Sequence, residues 1–199
     1  VARHQQAVAG DAAWRRLFTG VELGAPISVL TNNGGLKPEA QEVVWAIKET
    51  GTIMATGHLS SREVESLVSY ALTIGVKKIV LTHVSSRHNR LPIDRQKKLI
   101  TLAKAAGAEV FAEHCAITWY DGKAGTYDLQ RDFIAPIRAV GTGNCIVSSD
   151  SGRVVLSGRS VPAAPLNCLG GFADLLIKGG LTETEMKEML VENPNRLLL

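Results

Sequence analysis

The sequence predicts an α/β fold built from repeated β-then-α units. Two observations carry this reading. Short apolar, β-branched runs alternate with segments of helical periodicity, and three of the runs end on a side chain suited to metal or proton chemistry. Thr52-Ile-Met-Ala-Thr-Gly-His58 and Lys78-Ile-Val-Leu-Thr-His83 are successive, and Asn144-Cys-Ile-Val-Ser-Ser-Asp150 comes later. Parallel strands lie roughly 5 Å apart, so one intervening helix brings both imidazoles to the same end of a sheet.

The first run, Pro26-Ile-Ser-Val-Leu-Thr31, reads as a strand ending in the turn Asn32-Asn-Gly-Gly35. Pro38 then suits the first turn of a helix to about Glu49, with Val43, Val44 and Ile47 on one face. After the His58 strand, Ser60 and Glu63 form a capping box for a helix carrying Val64, Leu67, Val68 and Ala71. Gly75 closes that helix.

The His83 strand leads through the polar loop Ser85-Ser-Arg-His-Asn-Arg90 to a helix over about Ile93 to Ala106. A fourth strand, Ala108-Glu-Val-Phe-Ala-Glu113, brings Glu113 and His114 to its end. Residues 115–130 then read as a long strand-end loop containing Trp119 and Tyr120. Phe133 to Val140 is helical, and Gly141-Thr-Gly143 turns into the Asp150 strand. A Gly-, Ser- and Pro-rich stretch to Pro165 reads as another loop at the same mouth. Leu169 to Ile177 follows, and last comes a helix capped by Thr182 and Glu185 whose Met186 and Met189 belong to the core.

With 199 residues, 45% hydrophobic and 21% charged, the chain suits one domain with a substantial core. A formal charge of +3 with scattered Lys and Arg favours neither a nucleic-acid nor a membrane-surface partner. Cys115, Cys145 and Cys168 are odd in number and lack C-x-x-C spacing, which argues against a disulfide framework or a thiolate zinc cluster. No membrane-length apolar run or signal peptide is visible, so a cytoplasmic protein is expected. A homo-oligomer stays open.

Polar residues just beyond the carboxyl ends of parallel strands share one mouth. A single histidine there is most simply a polar residue satisfied by nearby backbone. Two in successive units, with a strand-terminal aspartate, point to a divalent metal site on His58, His83 and Asp150.

Together with the closing Glu192-Asn-Pro-Asn-Arg-Leu-Leu198, these strand ends resemble the carboxyl-terminal part of a metal-dependent hydrolase of the amidohydrolase superfamily. The resemblance runs from about Pro26 onward. It implies a (β/α)8 TIM-type barrel, with this chain supplying about strands four to eight. It also implies metal-binding histidines on strands five and six, matched by His58 and His83, and a strand-eight aspartate, Asp150, that binds metal or handles the proton of the attacking water. Zn²⁺ is the expected ion, with Mn or Fe as alternatives, and the bond attacked would be an amide, ester, lactone or phosphoester. The His-x-His pair that the family carries on strand one has no counterpart here. Five strands cannot close the barrel, so the first strands are expected outside these 199 residues.

Further candidates for substrate contact are Arg87, His88 and Arg153, which could clamp a carboxylate or phosphate, and Trp119, which could form a pocket wall. Glu113 and His114 point to opposite faces of their strand, so at most one looks into the mouth. For each, the plainer alternative is a solvated loop residue or a packing anchor. Two other readings compete: a metal-dependent decarboxylase with the same ligands, and an inactive barrel relative acting as a binding module. A nucleotide-binding doubly wound fold is weaker, because no Gly-x-Gly-x-x-Gly or Walker sequence follows any strand.

Overall fold

A parallel four-stranded sheet organises the chain: β1 Met54–Ala55, β2 Lys78–Leu81, β3 Glu109–Cys115 and β4 Cys145–Ser148, paired side by side in that order. The structure, a computed structural model, describes residues 27–87, 90–121, 126–151 and 165–199. Register sets Ile79 between Met54 and Val110, and Ala112 between Leu81 and Cys145.

The strands are short and their side chains alternate between two faces. Ile79, Leu81, Val110, Ala112, Cys145 and Val147 join the main core, which also takes the apolar stripes of the crossover helices. Val80, Phe111 and Ile146 point the other way and form a separate small cluster with Leu197. Burial on both faces explains why these strands read as continuous apolar runs.

Helix boundaries follow local chemistry. Helix α1, Pro38–Thr50, begins at a proline and ends at Gly51, whose φ of 67° lies in the left-handed region. Helix α2, Ser61–Ile74, starts in the expected capping box: Ser60 accepts from the Glu63 amide while Glu63 reaches back to the Ser60 amide. Helices α3, Ile93–Ala105, and α4, Ala116–Asp121, come next. A π-helical turn, Gln130–Ile134, runs into α5, Ala135–Val140. After α6, Pro165–Lys178, a second capping box on Thr182 and Glu185 opens α7, Glu183–Lys187. Another π-helical turn, Glu188–Glu192, then leads into α8, Asn193–Leu198. Met186 and Met189 are buried in the main core.

Three expectations are corrected. The run Ile27–Thr31 does not join the sheet. It folds into a small hairpin in which Leu30 bridges Leu36, the Lys37 amide donates to Val29 at 2.8 Å, and the Thr31 amide donates to Gly35 at 2.8 Å. The Asn-Asn-Gly-Gly turn is tight enough to claim those backbone groups locally, and Pro26 lies outside the described residues. Second, residues 116–121 are helical rather than loop, with Trp119 edge-on to Phe133 at 6.1 Å. Third, β3 continues past Glu113 to Cys115. Among the described residues, no helix is long and apolar enough to cross a membrane.

Candidate metal centre

The ends of β1 and β2 are extended by threonine side chains in place of ladder bonds. The Thr82 amide donates to Thr56 Oγ1 at 3.0 Å, and the Gly57 amide donates to Thr82 Oγ1 at 3.1 Å. This stitching carries His58 and His83 out together at the carboxyl end of the sheet, with ring centroids 5.1 Å apart. At the end of β4, Asp150 turns back so that its Oδ2 lies 3.5 Å from His83 Nε2. His83 thus lies beside each of the other two residues expected at a metal site.

His83 and Asp150 have φ of 53° and 46°, in the left-handed region that non-glycine residues rarely adopt. The backbone turns sharply at both strand ends. Such strain is held by surrounding structure and gathers at functional sites.

The spacings bear on what could sit between these groups. A tetrahedral ion with nitrogen and oxygen ligands at roughly 2.0–2.2 Å sets those two atoms about 3.4 Å apart, and two imidazoles on one such ion have centroids about 5 Å apart. His83 with Asp150, and His58 with His83, fit both values.

The other ring nitrogen of His83 faces β3. Its Nδ1 is 2.8 Å from Cys115 Sγ and 3.9 Å from Glu113 Oε2. Glu113 also accepts from the His83 amide at 3.3 Å and from the Ser148 hydroxyl at 3.0 Å, and Ser148 is 3.0 Å from Cys115 Sγ. His83, Glu113 and Cys115 thus form a compact donor group that has the composition of a metal site. Its nitrogen-to-sulfur separation is a hydrogen-bond length, however, whereas ligands of one zinc would stand about 3.5–3.6 Å apart. A cysteine nucleophile fits no better. Burial, and then the Glu113 carboxylate, push the Cys115 thiol well above its ordinary range, and the residue is 1% exposed.

The structure separates the remaining candidates. Glu113 turns toward His83, on the Phe111 face of β3. His114 turns the other way, is fully buried near Phe133, and is corrected from substrate contact to core. Ser85 spends its one proton on the Asp132 carbonyl at 2.7 Å, so His114 donates from Nδ1 to Ser85 Oγ at 2.9 Å. Burial pushes the His114 pKa down to about 4, so the ring is neutral at pH 7. Trp119 likewise packs into the helical layer rather than beside His83. Arg87 is exposed, and its amide donates to the Tyr127 hydroxyl at 3.1 Å. His88 and Arg153 lie outside the described residues.

Cys115 and Ser148 escaped the sequence reading. The signal was present: with β3 carried two residues further, the alternation Phe111, Glu113, Cys115 puts the thiol on the face of Glu113.

A family model described as a family of unknown function, DUF6282, matches residues 1–106, more than half of the 199-residue chain. The chain belongs to this family. The DUF6282 match takes in His58 and His83 and stops short of Glu113, Cys115 and Asp150. No curated protein matches the chain.

Proposed function

We propose that this DUF6282 member is a metal-dependent hydrolase of amidohydrolase type, with His58, His83 and Asp150 around a divalent ion, most simply zinc. The observation that carries the reading is the pair of spacings at His83: 3.5 Å from its Nε2 to Asp150 Oδ2 and 5.1 Å between its ring and that of His58. Each spacing suits a pair of ligands on a tetrahedral ion, and closing His58 onto Asp150 would complete the set.

A barrel of the (β/α)8 type is the matching architecture. Support comes from the chain-order parallel sheet and from the crossover helices, which all pack on one of its faces. A doubly wound sheet would reverse its strand order. Strand-end side chains at the carboxyl edge are where barrels keep their chemistry.

A divalent ion held there polarises a carbonyl or phosphoryl oxygen and acidifies water. His83, 12% exposed in its side chain, is clasped by β3 and offers Nε2 in a fixed direction. The Asp150 side chain is 54% exposed and stands on the open side, where a carboxylate can accept a proton from water and return it to the leaving group. The substrate is a small molecule carrying an amide, ester, lactone or phosphoester bond.

The test is elemental analysis of the purified chain and of a His58→Ala, His83→Ala double variant shown to be folded. Near-stoichiometric metal that vanishes in the variant supports the reading and directs a screen of those four bond classes. Absence of metal after incubation with zinc or manganese overturns it.

A further inference from the structure

We propose that Cys115 is a positioning residue for His83: its sulfur takes the Nδ1 proton and so leaves Nε2 as a bare lone pair facing Asp150. The inference rests on the metal reading for its functional meaning but can be tested without it.

The assignment follows from counting protons. Glu113, as a carboxylate, only accepts. Its Oε2 takes the His83 amide at 3.3 Å, and its Oε1 takes the Ser148 hydroxyl at 3.0 Å. With the Ser148 proton committed, the thiol can donate to Ser148 Oγ across their 3.0 Å contact. A thiol so directed has no proton for His83, and the 2.8 Å contact is then Nδ1–H donating to sulfur. This direction of donation runs from His83 to Cys115 to Ser148 to Glu113, and the one contact of His83 it leaves without a proton is that of Nε2 with Asp150.

The consequence is at the opposite nitrogen. Nε2 carries no proton and faces a carboxylate oxygen 3.5 Å away. Two acceptors at that distance repel one another unless something positive lies between them. A metal-ligating histidine commonly donates its second N–H to a carboxylate or carbonyl, which fixes the tautomer. Here β3 does this through a thiol, with Glu113 at the far end of the relay holding the backbone of the same histidine.

The experiment is ¹⁵N imidazole NMR on the metal-free chain, on Cys115→Ala and on Cys115→Ser, followed by cobalt titration of all three. The expected result is an Nδ1–H tautomer for His83 in the parent, lost in Cys115→Ala and restored in Cys115→Ser, whose hydroxyl can take sulfur's place. Cobalt affinity should fall about 10–100-fold in Cys115→Ala and recover in Cys115→Ser. An Nε2–H tautomer in the parent, or one that Cys115→Ala leaves unchanged, overturns the inference. So does a thiolate-to-cobalt charge-transfer band in the parent, which would make Cys115 a ligand. If cobalt fails to bind while the tautomer behaves as expected, the metal reading falls and the positioning role stands.

Discussion

His83 and Asp150, at the ends of β2 and β4, face each other across 3.5 Å, and both hold a left-handed backbone. Neither is glycine, so each gives up stability to keep its functional group in place. Replacing Asp150 by glycine should relieve that strain and replacing it by alanine should not. Because its side chain is mostly exposed, little packing is lost in either variant. Asp150→Gly is expected to be more stable than Asp150→Ala by about 1 kcal/mol, read by denaturant unfolding, while both lose metal affinity. Equal stabilities would mean that the position is unstrained.

Acid sensitivity should centre on two buried carboxylates. Burial alone would raise the Glu63 pKa, but the Ser60 hydroxyl, the Ser28 hydroxyl and the Ser60 amide outweigh it and hold the group at about 2. Asp132 is also held at about 2: burial again opposes, and the Arg131 side chain, the Asp128 amide and Arg90 prevail. Groups depressed in the folded state contribute stability that is complete above their ordinary values of 4.5 and 3.8 and disappears as pH falls toward 2. Each contributes at most roughly 2–3 kcal/mol at neutral pH, Glu63 the more. Glu63→Gln, which preserves a capping-box residue, should therefore unfold at lower temperature than the parent at pH 7 and approach it near pH 3. A constant gap across that range would remove Glu63 from the acid response.

How much of this was legible in the sequence depends on whether the signal was local. Ser60 with Glu63, Thr182 with Glu185, Pro38 and Gly75 are short-range devices, and they set helix ends where expected. The nearness of His83 to His58 and to Asp150 was readable because strand periodicity places chain-distant residues at a common edge. The run Ile27–Thr31 misled because β-branching favours extended backbone without saying which partner supplies the hydrogen bonds. Ala116–Asp121 misled in the opposite sense, since Ile, Thr, Trp and Tyr are weak helix formers and packing on Phe133 decides the matter. Cys115 was hidden because Glu-His-Cys reads as the start of a loop, although it continues the strand. The Asp132 network could not be read at all, since its arginines lie 42 residues and one residue away.

The face of the sheet opposite the main core depends on the far end of the chain. Val80, Phe111 and Ile146 are covered by Leu197 of α8, and Arg196 lies over the Phe111 ring at 5.2 Å. Removing the Leu197 side chain leaves a gap at the strand face rather than a surface nick. Leu197→Ala should cost about 2–3 kcal/mol, measured by urea unfolding, whereas Leu198→Ala, at 71% exposure, should change stability by less than about 0.5 kcal/mol. Similar costs for both would mean that α8 frays and does not seal this face.

Metal binding should itself appear as stability, because His58, His83 and Asp150 follow three different strands and an ion among them ties those strands together. A ligand that binds the folded state adds RT ln(1 + [L]/Kd), about 2.7 kcal/mol at one hundred times Kd. Zinc is therefore expected to raise the melting temperature of the parent in a concentration-dependent way, and to leave His83→Asn unmoved. Leu197→Ala provides the control: it starts from a lower melting temperature but keeps the donor set, so zinc should raise it by a similar free energy. A zinc response preserved in His83→Asn would place the ion elsewhere on the chain. One lost in Leu197→Ala would mean that the strand ends hold their geometry only while the opposite face of the sheet is filled.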